Sequence, residues 1–340
     1  MGAALNTESS RPPVGVLAFT RTPPERIGGL AARVEELGFA QFWVAEDCFF
    51  YGGMTSAALA LSATKEIPIG LGLVSAAVRH PAIAAMEIAN LARAFPGRFL
   101  PTVGVGPSVQ LDQMGVHWPR PLRAVRECVT AMRGLLNGET ISRQGEYFTF
   151  NDVSLVHPVA RRVPLYVGGS GPNMLRLAGE IGDGALLSVL ATPQYVRHAR
   201  ELVDEGLHAR TSQDRPNGAA HLAVYVFLSC LPDSGAAKAA MRQVLASRLA
   251  AIGPGPLTDA YGDASATLTA MLPASPETVA AEMPDVWVDD FAIAGDPEEC
   301  AAKIGRYLDA GADMVVLCPM PPATAPEMLG LVAREVLPRL

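Results

Sequence analysis

The sequence predicts an α/β protein folded as a (β/α)₈ barrel, and three observations lead to that prediction. Eight short runs rich in apolar residues alternate along the chain with longer segments whose apolar residues recur at helical spacing. Several of the short runs are continuously apolar, as expected for parallel strands that are covered on both faces. The chain has 340 residues, which is long enough for eight such units. A doubly wound open sheet is the alternative that these observations leave open.

The predicted strands are separated by intervals long enough for a helix. They occupy residues 14–19, 41–45, 67–74, 99–106, 164–167, 184–189, 221–228 and 313–318. The predicted helices occupy residues 24–37, 53–64, 81–94, 121–136, 172–181, 193–206, 234–250, 296–310 and 324–337. The helix over 296–310 has signals at both ends, with Asp296 as N-cap, Pro297 in the first turn, Glu299 three residues after the cap and Gly311 as the stop.

Two segments depart from this alternation, and we predict that both are insertions in a single domain spanning residues 1–340. Residues 139–153 alternate with period two about Gln144 and Gly145, which predicts a β-hairpin laid over the barrel. Residues 251–290 are rich in Gly, Pro, Ala and Ser and are too long for an ordinary connection. This second segment is interpreted as a lid over the substrate, and an excursion without a role is its alternative.

Charge and composition argue against several classes of protein. The net charge of −7, with no block of Lys or Arg, disfavours nucleic acid and anionic membranes as partners. Five scattered cysteines form no paired spacing for a disulfide framework or a zinc site, and the histidines form no pair four residues apart, so no metal is expected. The N-terminal stretch does not resemble a signal peptide and no run is long enough to cross a bilayer, which predicts a cytoplasmic protein.

A glycine-rich turn, GGSGP over residues 168–172, comes after the fifth predicted strand and leads into a predicted helix. The carboxyl ends of barrel strands form the functional face of such a fold. Glycines let the backbone approach a ligand, and the first N–H groups of the helix point outward with the positive end of its dipole. The turn therefore predicts an anion site, with phosphate as the expected ligand. It matches neither GxGxxG nor the P-loop, and a tight turn without a ligand is the alternative.

Three blocks of sequence, residues 79–106, 164–187 and 289–317, resemble in order and spacing the signatures of the bacterial luciferase-like flavin superfamily. The closer likeness is to its coenzyme F420-dependent branch, which includes methylenetetrahydromethanopterin reductase and F420-dependent glucose-6-phosphate dehydrogenase. The resemblance runs from about Val14 to Leu337 and weakens over 251–288. It implies a TIM barrel of the luciferase-like type, a flavin-type oxidoreductase and, since family members are often dimers, a homodimer.

The resemblance also implies which residues bind the cofactor. The glycine turn and the helix start through Met174 would hold the phosphate. The dipeptide Gly72-Leu73 matches a bulge with a non-prolyl cis peptide that backs the deazaflavin ring, although room inside the barrel is an alternative role for Gly72. Two glycines after strand four match a flat surface beside the ring. The implied cofactor residues are Gly72, Leu73, Gly104, Gly106, Gly168, Gly169, Ser170, Gly171 and Met174.

The end of the second predicted strand carries the candidate catalytic residues, Glu46 and Asp47. F420-dependent relatives commonly have an acidic residue followed by His at this point, and here the His is missing. A carboxylic acid donates a proton near neutral pH only if burial or a neighbouring negative charge raises its pKa. A solvated loop acid is the alternative for Asp47. Pro107 and Ser108 replace the acid that the sugar-phosphate dehydrogenase carries, which disfavours that substrate.

These inferences lead us to expect a coenzyme F420-dependent oxidoreductase. It would transfer a hydride between the deazaflavin C5 and a small organic substrate. Two alternatives stay open. One is an FMN-dependent luciferase-like monooxygenase on the same fold, with FMN as its cofactor. The other is a non-catalytic barrel that serves as a binding surface, an option raised by the missing His.

Overall fold

Eight parallel strands close into a barrel in the computed structural model, which describes residues 11–210, 219–259, 264–271 and 273–340. The strands in chain order are β1 (Val14–Ala18), β2 (Gln41–Ala45), β3 (Ile69–Ser75), β4 (Phe99–Gly104), β5 (Ile141–Gln144), β6 (Thr149–Val153), β7 (Tyr166–Gly168), β8 (Gly184–Leu187), β9 (His221–Cys230), β10 (Ala292–Gly295) and β11 (Met314–Pro319). The barrel runs β1-β2-β3-β4-β7-β8-β9-β11, and β11 pairs in parallel with β1. All eight predicted strands are confirmed, and the closure excludes the open sheet.

Helices surround the barrel and mostly begin at proline, which suits the first helical position. They are α1 (Pro24–Glu36), α2 (Gly53–Ala63), α3 (Pro81–Ala94), α4 (Ser108–Gln113), α5 (Pro121–Leu136), α6 (Pro172–Ile181), α7 (Pro193–His208), α8 (Ser234–Ile252), α9 (Pro256–Asp259), α10 (Ala264–Met271), α11 (Pro276–Glu282), α12 (Asp285–Phe291), α13 (Pro297–Asp309) and α14 (Ala325–Leu331). The predicted cap of α13 is confirmed as a capping box, in which Asp296 and Glu299 each accept from the other's backbone N–H. In the described part of the chain, no helix is both long and apolar enough to cross a bilayer.

Aromatic side chains fill the interior of the barrel. The Trp43 ring meets Tyr166 and Tyr225 edge-on, with ring centroids 6.0 and 5.7 Å apart. A side chain at Gly70 would overlap the Trp43 ring, so this glycine makes room for the tryptophan. The middle of the barrel is therefore a packed core, and a ligand has space only beyond it, at an end of the barrel.

The segment 139–153 forms the antiparallel pair β5–β6. Its aromatic side chains pack on the start of α3, where the His80 ring lies 5.6 Å from the ring of Phe148 and 5.0 Å from that of Phe150. His80 itself is the N-cap of α3, and its Nδ1 accepts from the N–H of Ala82 at 3.2 Å. The pair thus lies on the outer ring of helices.

The segment 251–290 carries the four short helices α9 to α12 in its described part, while residues 260–263 and 272 lie outside the described residues. Arg242 of α8 connects α8 to this segment by donating to the carbonyl oxygens of Ala280 and Met283 and by pairing with Asp285. After α12 the chain enters β10, which pairs with the second half of β9. Neither these short helices nor β10 was predicted, and the role of the segment as a lid stays a prediction.

Candidate active site

A cavity of about 640 Å³ opens at the carboxyl ends of the barrel strands. This volume is in the range that encloses a small ligand or cofactor. Ten of the predicted site residues line it: Glu46, Asp47, Gly72, Leu73, Gly106, Gly168, Gly169, Ser170, Gly171 and Met174. The fold thus brings together residues that lie far apart in sequence. Gly104 is the exception, because it is not among the residues that line the cavity.

One corner of the cavity is formed by the glycine turn between β7 and α6. The N–H groups of Ser170, Gly171 and Asn173 make no hydrogen bond to any other described residue. The N–H of Gly169 donates to the Leu186 carbonyl at 3.3 Å, and that of Met174 donates to the Gly171 carbonyl at 2.9 Å. We call the three unbonded amides the amide cradle. With the positive end of the α6 dipole, this cradle fits a phosphate group.

Tyr195 of α7 holds the turn in place, because its hydroxyl donates to the carbonyl oxygen of Ser170. Burial raises the pKa of Tyr195 to about 12, so its hydroxyl stays protonated and remains a donor at neutral pH. With this carbonyl engaged behind the turn, the cradle amides are left for a ligand. Sequence reasoning included Asn173 only as part of the helix start through Met174, and it missed Tyr195, because nothing in the linear pattern shows which groups of the turn a neighbouring strand or helix already uses.

The peptide bond between Gly72 and Leu73 is cis, as the family resemblance implied. The side chain of Leu73 lies in a slot between two other glycines. A Cβ atom built on either Gly104 or Gly168 would lie 2.7 Å from Leu73 Cδ2, closer than carbon atoms approach. Gly104 therefore makes room for Leu73, and its predicted contact with the cofactor stays a prediction.

Two further glycines of the cavity are required by packing. A Cβ atom on Gly72 would overlap the Tyr225 hydroxyl and lie 2.5 Å from Leu186 Cδ2, so the alternative role of Gly72 as a space-maker holds together with its cis bond. Gly106 has φ +93°, a conformation that side chains disfavour, and its Cβ would lie 2.9 Å from Ser75 Oγ. Both positions therefore exclude larger residues on steric grounds alone.

The Glu46 carboxylate is held by three hydrogen bonds. Arg79 donates to it through both terminal nitrogens, at 2.5 and 3.0 Å, and the Gly53 N–H donates to Oε2 at 2.5 Å. The Glu46 side chain is only 9% exposed. Paired in this way, Glu46 ties the end of β2 to the starts of α2 and α3. Both oxygens of the Glu46 carboxylate are therefore engaged within the protein.

Asp47 differs from Glu46, because no arginine in the described part of the chain holds its carboxyl group directly. Burial raises its pKa above the usual range, and the nearby Glu46 charge adds to this. The Arg248 guanidinium on α8 and a hydrogen bond with Thr20 act in the opposite direction. Both Thr20 and Arg248 line the cavity. The geometry thus leaves Asp47 as the carboxyl group in the cavity that is suited to hold a proton.

Arg248 is the single cation among the described residues that line the cavity. It lies near the end of α8, just before the long insertion, and sequence reasoning missed it. No local motif links it to Asp47, because the barrel topology alone brings the two elements together. Most of the remaining wall is apolar, with Leu17, Phe19, Val105 and Val189 among its members.

Comparisons with known proteins identify a family profile and several relatives that this chain resembles. A family profile described as luciferase-like monooxygenase matches residues 4–314. The chain is 29% identical to the 5,10-methylenetetrahydromethanopterin reductase of Archaeoglobus fulgidus, over 90% of this chain and 93% of the relative. It is 27% identical to the F420-dependent glucose-6-phosphate dehydrogenase of Microbacterium testaceum, over 93% and 94% of the two chains. The solved F420-dependent tetrahydromethanopterin reductase of Methanopyrus kandleri superposes with a TM-score of 0.80 at 26% identity, covering 97% of this chain and 99% of that one.

Proposed function

Because the chain belongs to the luciferase-like monooxygenase family, we propose that it is an oxidoreductase that uses coenzyme F420 as its hydride carrier. The observation that carries the proposal is a single cavity with the amide cradle at one corner and the cis Gly72-Leu73 peptide in its wall. One phosphorylated ring cofactor can occupy both places. The names of the relatives, which are F420-dependent enzymes, support the choice of cofactor.

The charge of the cradle supports F420 over FMN. Residues 168–174 include no Lys or Arg, so main-chain amides and the α6 dipole are what the turn offers to an anion. The phosphate of F420 is a diester with one negative charge, whereas a phosphate monoester such as that of FMN carries about −1.5 to −2. A cradle without a cation of its own suits the smaller charge.

Each residue of the site then has a distinct part. The amides of Ser170, Gly171 and Asn173 bind the phosphate, and Leu73 supports the ring. When bound, F420 would give or accept the hydride at C5 of its deazaflavin. Asp47 would donate or accept the proton that accompanies hydride transfer, because its buried carboxyl group has no direct cation partner among the described residues.

We assign Glu46 a positioning role, since its ion pair with Arg79 orients the end of β2 that carries Asp47. The substrate is proposed to be a small organic molecule. Most of the cavity wall is apolar, and among the described residues that line it only Asp47 and Arg248 are charged groups outside the Glu46–Arg79 ion pair. The helices of 251–290 are proposed to cover it as a lid and to exclude water from the reacting atoms.

A cytoplasmic homodimer is part of the proposal. All five cysteines are free thiols, which fits a reducing compartment. On α3, Ile83 and Met86 are 48% and 51% exposed and lie three residues apart on one helical face. Large apolar side chains exposed on one face favour a protein partner, and sedimentation of the wild type and Met86→Glu tests this. A monomeric wild type would remove this part of the proposal.

The cofactor assignment is tested by titrating the purified protein separately with F420 and FMN and measuring the emission of each. We expect saturable binding of F420 and much weaker binding of FMN. Tight FMN binding with oxygen-dependent turnover, and no affinity for F420, would establish the monooxygenase alternative. Failure to bind either compound would favour the non-catalytic barrel.

A further inference from the structure

Three polar side chains line the cavity on the side opposite the amide cradle. Thr20 follows β1, Asp47 follows β2 and Arg248 lies on α8. We call these three residues the Arg248 corner. The cradle follows β7, which is four strands away from β1 in either direction round the barrel. A ligand group held in the Arg248 corner is therefore separate from the cofactor phosphate.

The guanidinium of Arg248 makes no hydrogen bond and no ion pair with any described residue. It acts on its surroundings through its charge alone. Burial raises the pKa of Asp47 and of the Cys318 thiol on β11, and the charge of Arg248 opposes this rise at both groups. Because β2 and β11 are the two strands that pair with β1, the guanidinium lies near the end of β1 with its donors unused.

The two acids at the end of β2 differ in how they meet an arginine. Arg79 binds the Glu46 carboxylate through both terminal nitrogens, at 2.5 and 3.0 Å. Arg248 and Asp47 share the corner without a direct ion pair, although the charge of Arg248 acts on Asp47. The space between them can take a ligand carboxylate, to which the planar guanidinium presents two parallel donors.

The charges of the corner favour a carboxylate over a more highly charged anion. Arg248 is the single cation among the described residues that line the cavity, and it neutralises one negative charge. A phosphate monoester carries about −1.5 to −2, and its excess charge would face Asp47. The net charge of the whole chain is −7, which repels anions at long range, so any preference for an anion must come from this local cation.

We propose that the Arg248 corner binds the carboxylate of a substrate that has one acid group on an apolar body. The inference rests on the proposed function and deepens it by naming the class of substrate. Arg248 holds the acid group, and the apolar body packs on the neighbouring wall, which includes Leu17 and Phe19. Arg248 is thus the residue that determines specificity, because an uncharged analogue of the same shape gains nothing from it.

A carboxylate at Arg248 also affects the proposed proton carrier. The titratable groups that act on Asp47, or on which it acts, are Glu46 and Cys48 beside it, Tyr225 on β9 and Arg248 on α8. Burial raises the pKa of Tyr225 and of Cys48, so both stay neutral at neutral pH. Arg248 is then the charge that favours ionised Asp47, and a ligand carboxylate offsets it. Binding of the acid therefore raises the pKa of Asp47 and helps it to hold a proton.

The test compares two acids, hexanoate and benzoate, with their primary amides, hexanamide and benzamide. Dissociation constants are measured by ligand-observed NMR titration of the protein with and without F420. For the wild type we expect each acid to bind about 5- to 10-fold more tightly than its amide, as one charge-assisted pair at a partly exposed site contributes. In Arg248→Gln this ratio should fall to about one or below, while the affinity for the amides is unchanged. Asp47→Asn should raise the affinity for the acids about 2- to 5-fold, because it removes a nearby negative charge, and should leave the amides unaffected.

Arg21→Gln is the matched control, since Arg21 is an exposed arginine beside Thr20 that does not line the main cavity and has no carboxylate partner among the described residues. It should keep the wild-type ratio, and an equal loss there would assign the preference to the general field and overturn the proposal. No binding of either acid, or a wild type that does not prefer the acids, would overturn it as well. Tighter binding of hexyl phosphate than of hexanoate would refute the choice of a carboxylate. F420 titration of the same samples separates the two proposals: if F420 binds and the acids are not preferred, the Arg248 corner fails alone, and if F420 does not bind, the proposed function fails.

Discussion

Replacing Gly171 with proline should weaken cofactor binding and leave the fold intact. Gly171 has φ −80° and ψ 145°, values that proline adopts. A Cβ atom at this position would meet no atom within 4 Å. The Gly171 N–H makes no hydrogen bond to other described residues. Proline therefore removes one donor of the amide cradle and no hydrogen bond of the protein itself.

The size of the effect is set by the chemistry of the lost contact. A hydrogen bond to a charged group contributes about 1.5–3 kcal/mol. The dissociation constant for F420 should therefore rise about 10- to 150-fold. The fold should become slightly more stable, by about 0.4–1 kcal/mol, because proline restricts the unfolded chain at a position whose native backbone it fits. Binding and stability are thus expected to change in opposite directions.

The assay measures F420 affinity by fluorescence titration and the unfolding temperature by circular dichroism. Gly171→Ala is the matched control, because it adds bulk at the same residue and keeps the N–H. A proline variant that is folded and binds F420 as the wild type does would refute the cradle. Equal losses in the alanine and proline variants would assign the effect to bulk. The pair Asn173→Pro and Asn173→Ala repeats the comparison at the next cradle amide.

Three further predictions concern the walls of the cavity. Burial raises the pKa of Asp47, so its ionised form destabilises the fold. Asp47→Asn should therefore raise the unfolding temperature at neutral pH, and this gain should disappear below the unfolded carboxyl pKa of about 3.9. A gain that persists in acid would contradict the burial argument. Arg79→Met leaves the Glu46 carboxylate without its cation and should lower the free energy of unfolding in urea by about 2–4 kcal/mol. The double variant Glu46→Gln/Arg79→Met should recover most of this loss. No recovery would show that Arg79 stabilises the fold by some route other than its ion pair with Glu46. Gly72→Ala should lower the free energy of unfolding in urea by about 1–3 kcal/mol, because the added methyl group overlaps the Tyr225 hydroxyl. If this overlap is the cause, adding Tyr225→Phe to the same chain should restore part of the loss.

The barrel was predictable because its signals are local. Each strand needs only a short apolar run, and each helix shows its period and its caps within about fifteen residues. All eight predicted strands became barrel strands for this reason. The late segments were less predictable. The predicted helix over 324–337 is present, but it passes from α14 into a π-helix at Val332–Val336 and ends in a 3₁₀ turn at Leu337–Arg339. The short helices of 251–290 carry weak patterns, and two of them, α11 and α12, pack on α8.

The candidate site was predictable in location and less so in detail. The glycine turn could be placed at the cavity because a turn after a parallel strand must lie at the barrel mouth. Which of its amides are free depends on β8, whose Leu186 carbonyl engages the N–H of Gly169. The part played by Gly104 depends on where Leu73 points, which one strand by itself does not reveal.

The sequence by itself determined the order of the strands and helices, the glycine turn and the acidic pair at the end of β2, because each depends on residues that are neighbours along the chain. Only the tertiary structure decided that Arg79 holds Glu46 and that Arg248 lies near Asp47. These relations join residues that are far apart in sequence. They are set by the closure of the barrel and the packing of its helices, which no local pattern records.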